Sequence, residues 1–79
     1  MKINLKYFGI VSEITETNEE LLTIDNNFST EDLCLLLKEK YGNLNLADYR
    51  LAINENFINN PIQLVENDTV AILPPFSGG

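Results

Sequence analysis

The sequence has no histidine and no tryptophan, and Cys34 is the single cysteine among its 79 residues. Histidine is the commonest general base and the commonest metal ligand, so its absence removes Ser-His-Asp and Cys-His catalysis. A single cysteine excludes an internal disulfide and a thiolate metal cluster within the chain. The chain therefore lacks ready-made catalytic and metal-binding arrangements of its own.

Basic residues are also scarce, because 5 Lys and Arg stand against 12 Asp and Glu, for a formal net charge of −7. This balance disfavours nucleic acid as a partner. It predicts a protein partner with a basic surface, since opposite fields speed encounter. We expect most acidic side chains to be solvated surface, among them Glu13, Glu16, Glu19, Glu20, Glu55, Glu66 and Asp68.

Long hydrophobic runs are missing as well. No stretch approaches the ~20 apolar residues of a membrane-spanning helix, and no cationic leader precedes an apolar block. We therefore expect no membrane association and a cytoplasmic location. Hydrophobic residues make up 44% of the chain, which suits one small folded domain without a deep interdomain cleft.

The hydrophobic pattern that is present predicts several strands. Residues 2–7 alternate between apolar and polar, as in a half-buried strand, and residues 19–24 predict an antiparallel partner for it. Residues 50–54 predict another strand, followed by a turn and a short return strand from residue 57. Residues 69–73 are β-branched and apolar, which is typical of a buried strand.

One amphipathic helix is predicted from about residue 30 to residue 41. Ser29 is a favourable N-cap residue, and Asp32 can complete a capping box with it. Gly42 suits a left-handed C-cap. Cys34 is expected to be a small buried hydrophobe and not a reactive thiol. The side chains with helical spacing that should face the core are Leu33, Leu36, Leu37 and Tyr41.

Two shorter segments leave alternatives open: residues 9–17 form a short helical turn or a loop, and residues 62–65 a short strand or a helical turn.

A single amphipathic helix is buried best across one face of a mixed sheet. The predicted fold class is therefore α+β, a mixed sheet of four to five strands with one main helix packed on one face. Residues 1–73 form the domain, and residues 74–79 leave it as a tail.

The tail has the sequence PPFSGG after Leu73. Pro74–Pro75 cannot donate to a strand ladder and favour a stiff extended stalk. Ser77–Gly79 are small residues with few limits on their backbone conformation, and six extended residues reach roughly 20 Å. The tail can therefore enter a partner's active site, where the Gly79 carboxylate is open to activation by an ATP-dependent partner. Gly78 provides clearance, because it has no Cβ. The plain alternative is a disordered terminus without a role.

The stretch NDTVAILPPFSGG at residues 67–79 resembles the C-terminus of the small subunit of molybdopterin synthase, the sulfur carrier of molybdenum cofactor biosynthesis. KYFG at 6–9, the capped helix and LAIN at 51–54 extend the resemblance over the whole chain. It implies a β-grasp, ubiquitin-like fold. Asn67 stands where glycine is common and tolerates the left-handed conformation, while Phe76 is bulkier than the family's frequent choice.

The resemblance also implies a function. Gly79 is adenylated by an activating enzyme related to those of ubiquitin, which consumes ATP, and then thiocarboxylated with sulfur from a donor such as a cysteine desulfurase or a rhodanese. The carrier, which binds no cofactor, delivers the sulfur to cyclic pyranopterin monophosphate on the large subunit of molybdopterin synthase. Alternatives are the thiamin-pathway sulfur carrier, which usually lacks Pro-Pro, a ubiquitin-like protein modifier, and a β-grasp interaction module with an inert tail.

An apolar docking patch is predicted beside the tail. Phe8 falls on the polar face of the first strand, and it shares an end of the sheet with Leu73 if the first and last strands run parallel, as the family fold implies. By alternation Val70 and Ile72 face the helix. The alternative is that a loop covers Phe8. The predicted patch comprises Phe8, Ala52, Ala71, Leu73 and Phe76, and Pro74, Pro75 and Ser77 are further partner contacts.

Overall fold

A computed structural model describes residues 1–44 and 49–74 of the chain, which form a mixed five-stranded sheet and two helices. The strand order across the sheet is β2-β1-β5-β3-β4. The elements, in chain order, are β1 Lys2–Tyr7, α1 Ile10–Thr15, β2 Glu19–Thr23, α2 Thr30–Lys40, β3 Arg50–Ile53, β4 Asn56–Phe57 and β5 Thr69–Leu73.

The pairing of the strands confirms the predicted topology. β1 pairs with β2 antiparallel and with β5 parallel, while β3 pairs antiparallel with both β4 and β5. β5 therefore lies at the centre of the sheet, where a β-branched apolar strand is expected, because both of its edges are paired and one face is buried. The parallel pairing of β1 and β5 brings the start of α1 next to the start of the tail.

The core lies on one face of the sheet. Period-two alternation buries Ile3, Leu5 and Tyr7 of β1. Val70 and Ile72 of β5 are fully buried on the same face, as predicted. From α2, Leu33 and Leu37 complete this core, and Leu36 and Tyr41 pack partly against it. The predicted stripe of α2 is thus confirmed.

The two ends of α2 differ in how well the sequence predicted them. At the N-terminus, Ser29 Oγ accepts a hydrogen bond from Asp32 N at 3.2 Å, and the Asp32 carboxylate accepts one from Ser29 N at 2.9 Å, so the capping box is present. At the C-terminus the prediction for Gly42 is wrong. The cap residue is Tyr41, with φ −123° and ψ 87°, and the left-handed glycine of the described residues is Gly9. The reason is that the chain turns on through a Leu44 N to Tyr41 O hydrogen bond of 2.9 Å, which needs no left-handed residue.

The two ambiguous segments take different forms. The first contains α1, in which Val11 is fully buried, and Glu16 ends it with a left-handed φ of 62°. The second is neither a full strand nor a helical turn: Gln63 makes one isolated bridge with Ser29, and Leu64 N donates to Phe28 O at 2.9 Å. This segment therefore lies beside the N-terminus of α2.

Glu20 was predicted to be solvated surface, and this prediction is wrong. Its register partner is Leu5, so its side chain lies on the core face of the sheet. There Glu20 Oε1 accepts hydrogen bonds from Tyr7 Oη at 2.8 Å and Tyr41 Oη at 2.9 Å, and Oε2 forms an ion pair with Lys40 Nζ. Burial of the Glu20 carboxyl raises its pKa, but hydrogen bonds from Lys40 and the two tyrosines outweigh this and lower the pKa below its ordinary value. Burial and the neighbouring carboxylate raise the pKa of Tyr7.

Asp68 is the second correction to the acidic surface. It is only 6% exposed, and its carboxylate accepts hydrogen bonds from Asn54 Nδ2 and Val65 N, both at 2.8 Å. These bonds join the turn after β3 to the turn before β5. Asn67, just before it, has a φ of 69°, which confirms that asparagine takes the left-handed conformation there.

Among the described residues, no helix has the length and apolarity needed to cross a bilayer.

Candidate docking face and tail exit

The outer face of the sheet, opposite the core, carries the predicted patch beside the tail. Tyr7 pairs with Ile72, and Phe8 N donates to Ile72 O at 3.3 Å, so Phe8 and Leu73 lie at the same end of the sheet, as predicted. Phe8 is 44% exposed, and Ala71 is half-buried. This exposure of an aromatic ring beside the last strand agrees with a docking surface for a partner and not with a loop that covers Phe8.

The structure changes one member of this patch. Ala52 was expected to be exposed, but it is 5% exposed. Its register partners are Ala71 on one side and Phe57 on the other, and the Arg50 guanidinium lies over the Phe57 ring, 4.3 Å from the centroid. The Ala52 methyl group beside the larger Phe57 side chain contributes little surface, so Phe57, which is 47% exposed, takes its place in the patch.

Phe57 was missed by the sequence reasoning, although a signal for it exists. The residues between β3 and β4 are Asn54 and Glu55, with left-handed φ values of 50° and 72°. A two-residue turn with both central residues left-handed is the favoured connection of a tight hairpin. This turn sets the register of Phe57 opposite Ala52 and hence directs the aromatic ring to the outer face.

The exit of the tail is fixed by a glycine. Gly9 has φ 57° and ψ −133°, a conformation that side chains disfavour. A Cβ on Gly9 would also lie only 3.2 Å from Pro74 Cγ. The backbone conformation thus favours glycine, and a larger residue would also push the Pro74 ring away by a few tenths of an ångström. The tail therefore begins in contact with the residue that follows Phe8. The predicted tail contacts beyond this point, Pro75, Phe76, Ser77, Gly78 and Gly79, lie outside the described residues.

Cys34 is less buried than the sequence predicted. It is half-buried on α2, and burial together with the nearby Glu31 raises the pKa of its thiol. Less thiolate means a weaker nucleophile and a weaker metal ligand. Within residues 1–44 and 49–74, no three His, Cys, Asp or Glu side chains are grouped in a way that would hold a metal ion.

Comparison with known proteins identifies the family. The sequence matches the ThiS family over residues 5–79. The chain belongs to the ThiS family. The molybdopterin synthase sulfur carrier subunit of Drosophila erecta is similar to this ThiS-family chain, with 30% identity over 83 residues that cover 100% of the chain and 92% of the relative.

Solved structures confirm the ubiquitin-like β-grasp fold of this ThiS-family member. A putative molybdopterin converting factor subunit 1 from Pyrococcus furiosus superposes with a TM-score of 0.85 at 20% identity, over 96% of this chain and 99% of that chain. Subunit 1 in the complex of molybdopterin-converting factor subunits 1 and 2 from Helicobacter pylori is 27% identical, with a TM-score of 0.73 and full coverage of both chains.

A third structure belongs to a protein modifier. The small archaeal modifier protein 1 from Methanosarcina acetivorans is 26% identical to this chain, with a TM-score of 0.79 over 99% of this chain and 96% of that chain. The same fold therefore occurs in proteins named as molybdopterin converting factor subunits and in proteins named as modifiers, so the fold alone does not decide between these functions.

Proposed function

We propose that this chain is the sulfur-carrier subunit of a molybdopterin synthase, with Gly79 as the residue that carries sulfur. The observation that carries the proposal is the position of the tail: Pro74 leaves the sheet against Gly9, beside the exposed Phe8. A partner that covers the outer face is thereby placed where it also receives the tail. Family membership and the named relatives support the same function.

The chemistry follows from the terminal carboxylate. A carboxylate is a poor electrophile, so an activating enzyme first joins it to the α-phosphate of ATP and releases pyrophosphate. The persulfide of a donor, a cysteine desulfurase or a rhodanese, then displaces AMP and forms an acyl disulfide on Gly79. A thiol of the donor or of the activating enzyme cleaves its S–S bond, which leaves the thiocarboxylate on Gly79 and a disulfide on the enzyme. The carrier supplies no acid, base or nucleotide site in this scheme, which agrees with its lack of histidine.

The partner that consumes the sulfur is, in this proposal, the large subunit of molybdopterin synthase in the cytoplasm. The Helicobacter pylori complex of subunits 1 and 2 supports such a pairing. The large subunit binds the outer face, accepts the tail and holds cyclic pyranopterin monophosphate, to which the sulfur is transferred. Gly78 and Gly79 allow the backbone to pass through a narrow channel, because neither carries a Cβ.

Intact-mass spectrometry tests this function directly. We expect the 79-residue chain to gain the mass of one sulfur-for-oxygen exchange after incubation with ATP, the activating enzyme and a sulfur donor. Addition of the large subunit and cyclic pyranopterin monophosphate then restores the original mass. Reactions without ATP are the control. A terminus that stays inert with every component present contradicts the proposal and leaves an interaction module.

A protein modifier is the second candidate, and the likeness to the Methanosarcina acetivorans modifier favours it. Both functions begin with the acyl adenylate, and they diverge at the nucleophile that captures it. An amine yields an isopeptide bond to a lysine, whereas sulfur yields the thiocarboxylate. Lysine-linked conjugates in the same reactions, without sulfur-for-oxygen exchange, identify the chain as a modifier.

Phe8→Ala tests the docking face. We expect the affinity for the large subunit to fall by about 10- to 100-fold, because truncation of an interface aromatic costs roughly 1–3 kcal/mol. Calorimetric titration measures the affinity, and differential scanning calorimetry should show a melting temperature close to that of the wild type. Leu35→Ala on α2 is the matched control, since Leu35 is 68% exposed and lies outside this face. A large drop in melting temperature with Phe8→Ala would assign Phe8 to the core instead.

A further inference from the structure

The outer face holds most of the positive charge of an acidic chain. Of the five basic residues, Lys2, Lys6 and Arg50 lie on this face, because they alternate with the core residues of β1 and β3. The other two are Lys38 and Lys40 in the last turn of α2. The net charge of −7 therefore describes the molecule as a whole but not the surface beside the tail.

Two of these cations border the apolar patch. The register places Lys6 opposite Ala71 and Arg50 opposite Leu73, one on each side of β5. Directly opposing residues of neighbouring strands have their Cβ atoms about 4.5–5.5 Å apart. The positive groups are thus within reach of any surface that covers the outward side chains of β5.

Arg50 is held in place for such a contact. Its guanidinium lies 4.3 Å from the centroid of the Phe57 ring. A cation stacked on an aromatic ring loses less conformational freedom on binding, and its planar donor edge stays available for a carboxylate. Arginine with a neighbouring aromatic residue is also the composition that dominates the energy of many interfaces.

Neither Lys6 nor Arg50 forms an ion pair within 4.0 Å in the described part of the chain. In residues 1–44 and 49–74, the ion pair within 4.0 Å is Lys40–Glu20. The register places Glu19 of β2 opposite Lys6 of β1. Glu19 thus lies on the side of Lys6 that faces away from β5 and the patch. Burial of Arg50 under a partner without an opposing carboxylate would be costly, because an unpaired charge loses its hydration.

We infer that the surface which docks on this face is apolar at its centre and acidic at the positions that meet Lys6 and Arg50. The inference rests on the proposed function, because it takes the large subunit as the occupant. It reverses the expectation of a basic partner that the net charge suggests. The acidic surface of the chain outside this face then repels the acidic groups of the partner. The charges therefore favour the orientation in which the outer face and the tail meet the partner.

Charge reversal at two positions tests this inference. Arg50→Glu and Lys38→Glu change the net charge of the chain by the same amount, but Lys38 lies on α2. We expect Arg50→Glu to weaken binding of the large subunit by at least about tenfold, and Lys38→Glu to change it by less than about twofold. Arg50→Ala should fall between the wild type and Arg50→Glu. Thermal melts of each variant confirm that the fold is retained.

The dependence on salt provides an independent measurement. Binding of the wild type should weaken as sodium chloride rises, and binding of Arg50→Glu should weaken less or strengthen, because screening removes attraction in one case and repulsion in the other. Equal or tighter binding by Arg50→Glu, with a wild type that binds and accepts sulfur, overturns the acidic-partner inference alone. A wild-type chain that does not bind the large subunit overturns the proposed function together with it.

Discussion

One alanine added after Gly79 is expected to abolish sulfur acceptance and to leave the melting temperature unchanged. The added residue moves the carboxylate by roughly 3.3–3.6 Å and places a Cβ at the reacting position. Among the described residues the last core side chain is Ile72 of β5, and the extension alters none of the described core residues. Intact-mass spectrometry of the adenylation and sulfur-transfer reactions measures the loss.

Removal of the extension supplies the control for this prediction. We expect a variant with extra residues after Gly79, which a protease removes by cutting directly after Gly79, to be inert before cleavage. The same variant should accept sulfur after cleavage. Recovery after cleavage shows that the position of the carboxylate, and not damage to the fold, caused the loss. Sulfur acceptance by the extended, uncleaved chain would refute the assignment of Gly79.

Glu20→Ala is expected to lower the free energy of unfolding by about 2–3 kcal/mol, because it removes a charged acceptor and leaves two partly buried hydroxyl donors without this partner. The two tyrosine hydroxyls and Lys40 all bond to this one carboxylate. For a domain of this size such a change lowers the melting temperature by roughly 10–20 °C. Glu39→Ala, at an exposed position of α2, is the matched control and should shift the melting temperature little.

The acid dependence of the same variant gives a second measurement. The pKa of Glu20 is lower in the folded chain than its ordinary value of 4.5. Its contribution to stability is therefore complete above pH 4.5 and is lost as the pH falls through the folded-state pKa. Urea unfolding from pH 7 down to pH 3 should show the gap between wild type and Glu20→Ala closing at the acidic end. A gap that is constant with pH would mean that packing, and not the charge of Glu20, stabilises this corner.

The parts of the fold that local rules govern could be predicted from the sequence. Alternation located β1, a β-branched apolar run located β5, and the short-range pairing of Ser29 with Asp32 identified the start of α2. The parallel pairing of β1 with β5 came from the family resemblance, and it places Phe8 beside Leu73. Each of these features depends on residues that are close in sequence or on a known topology.

The features that were missed depend on contacts between distant segments. Glu20 was interpreted as surface because alternation in a short strand does not reveal a carboxylate whose tyrosine and lysine partners lie on β1 and at the end of α2. Asp68 is buried because Asn54, 14 residues away, supplies a donor. Ala52 is covered because the hairpin turn places Phe57 opposite it. The tail contacts predicted beyond Pro74 stay predictions.

The contact between Gly9 and Pro74 has a consequence for the kinetics of sulfur delivery. A tail attached at a fixed point beside the docking face keeps its terminal group within about 20 Å of that point. Once the face is occupied, the transfer becomes an intramolecular event, and short tethers give effective concentrations in the millimolar range. The rate of transfer in the docked complex should then be independent of carrier concentration, with Leu73 at the end of β5 as the fixed end of the tether and Gly9 beside it.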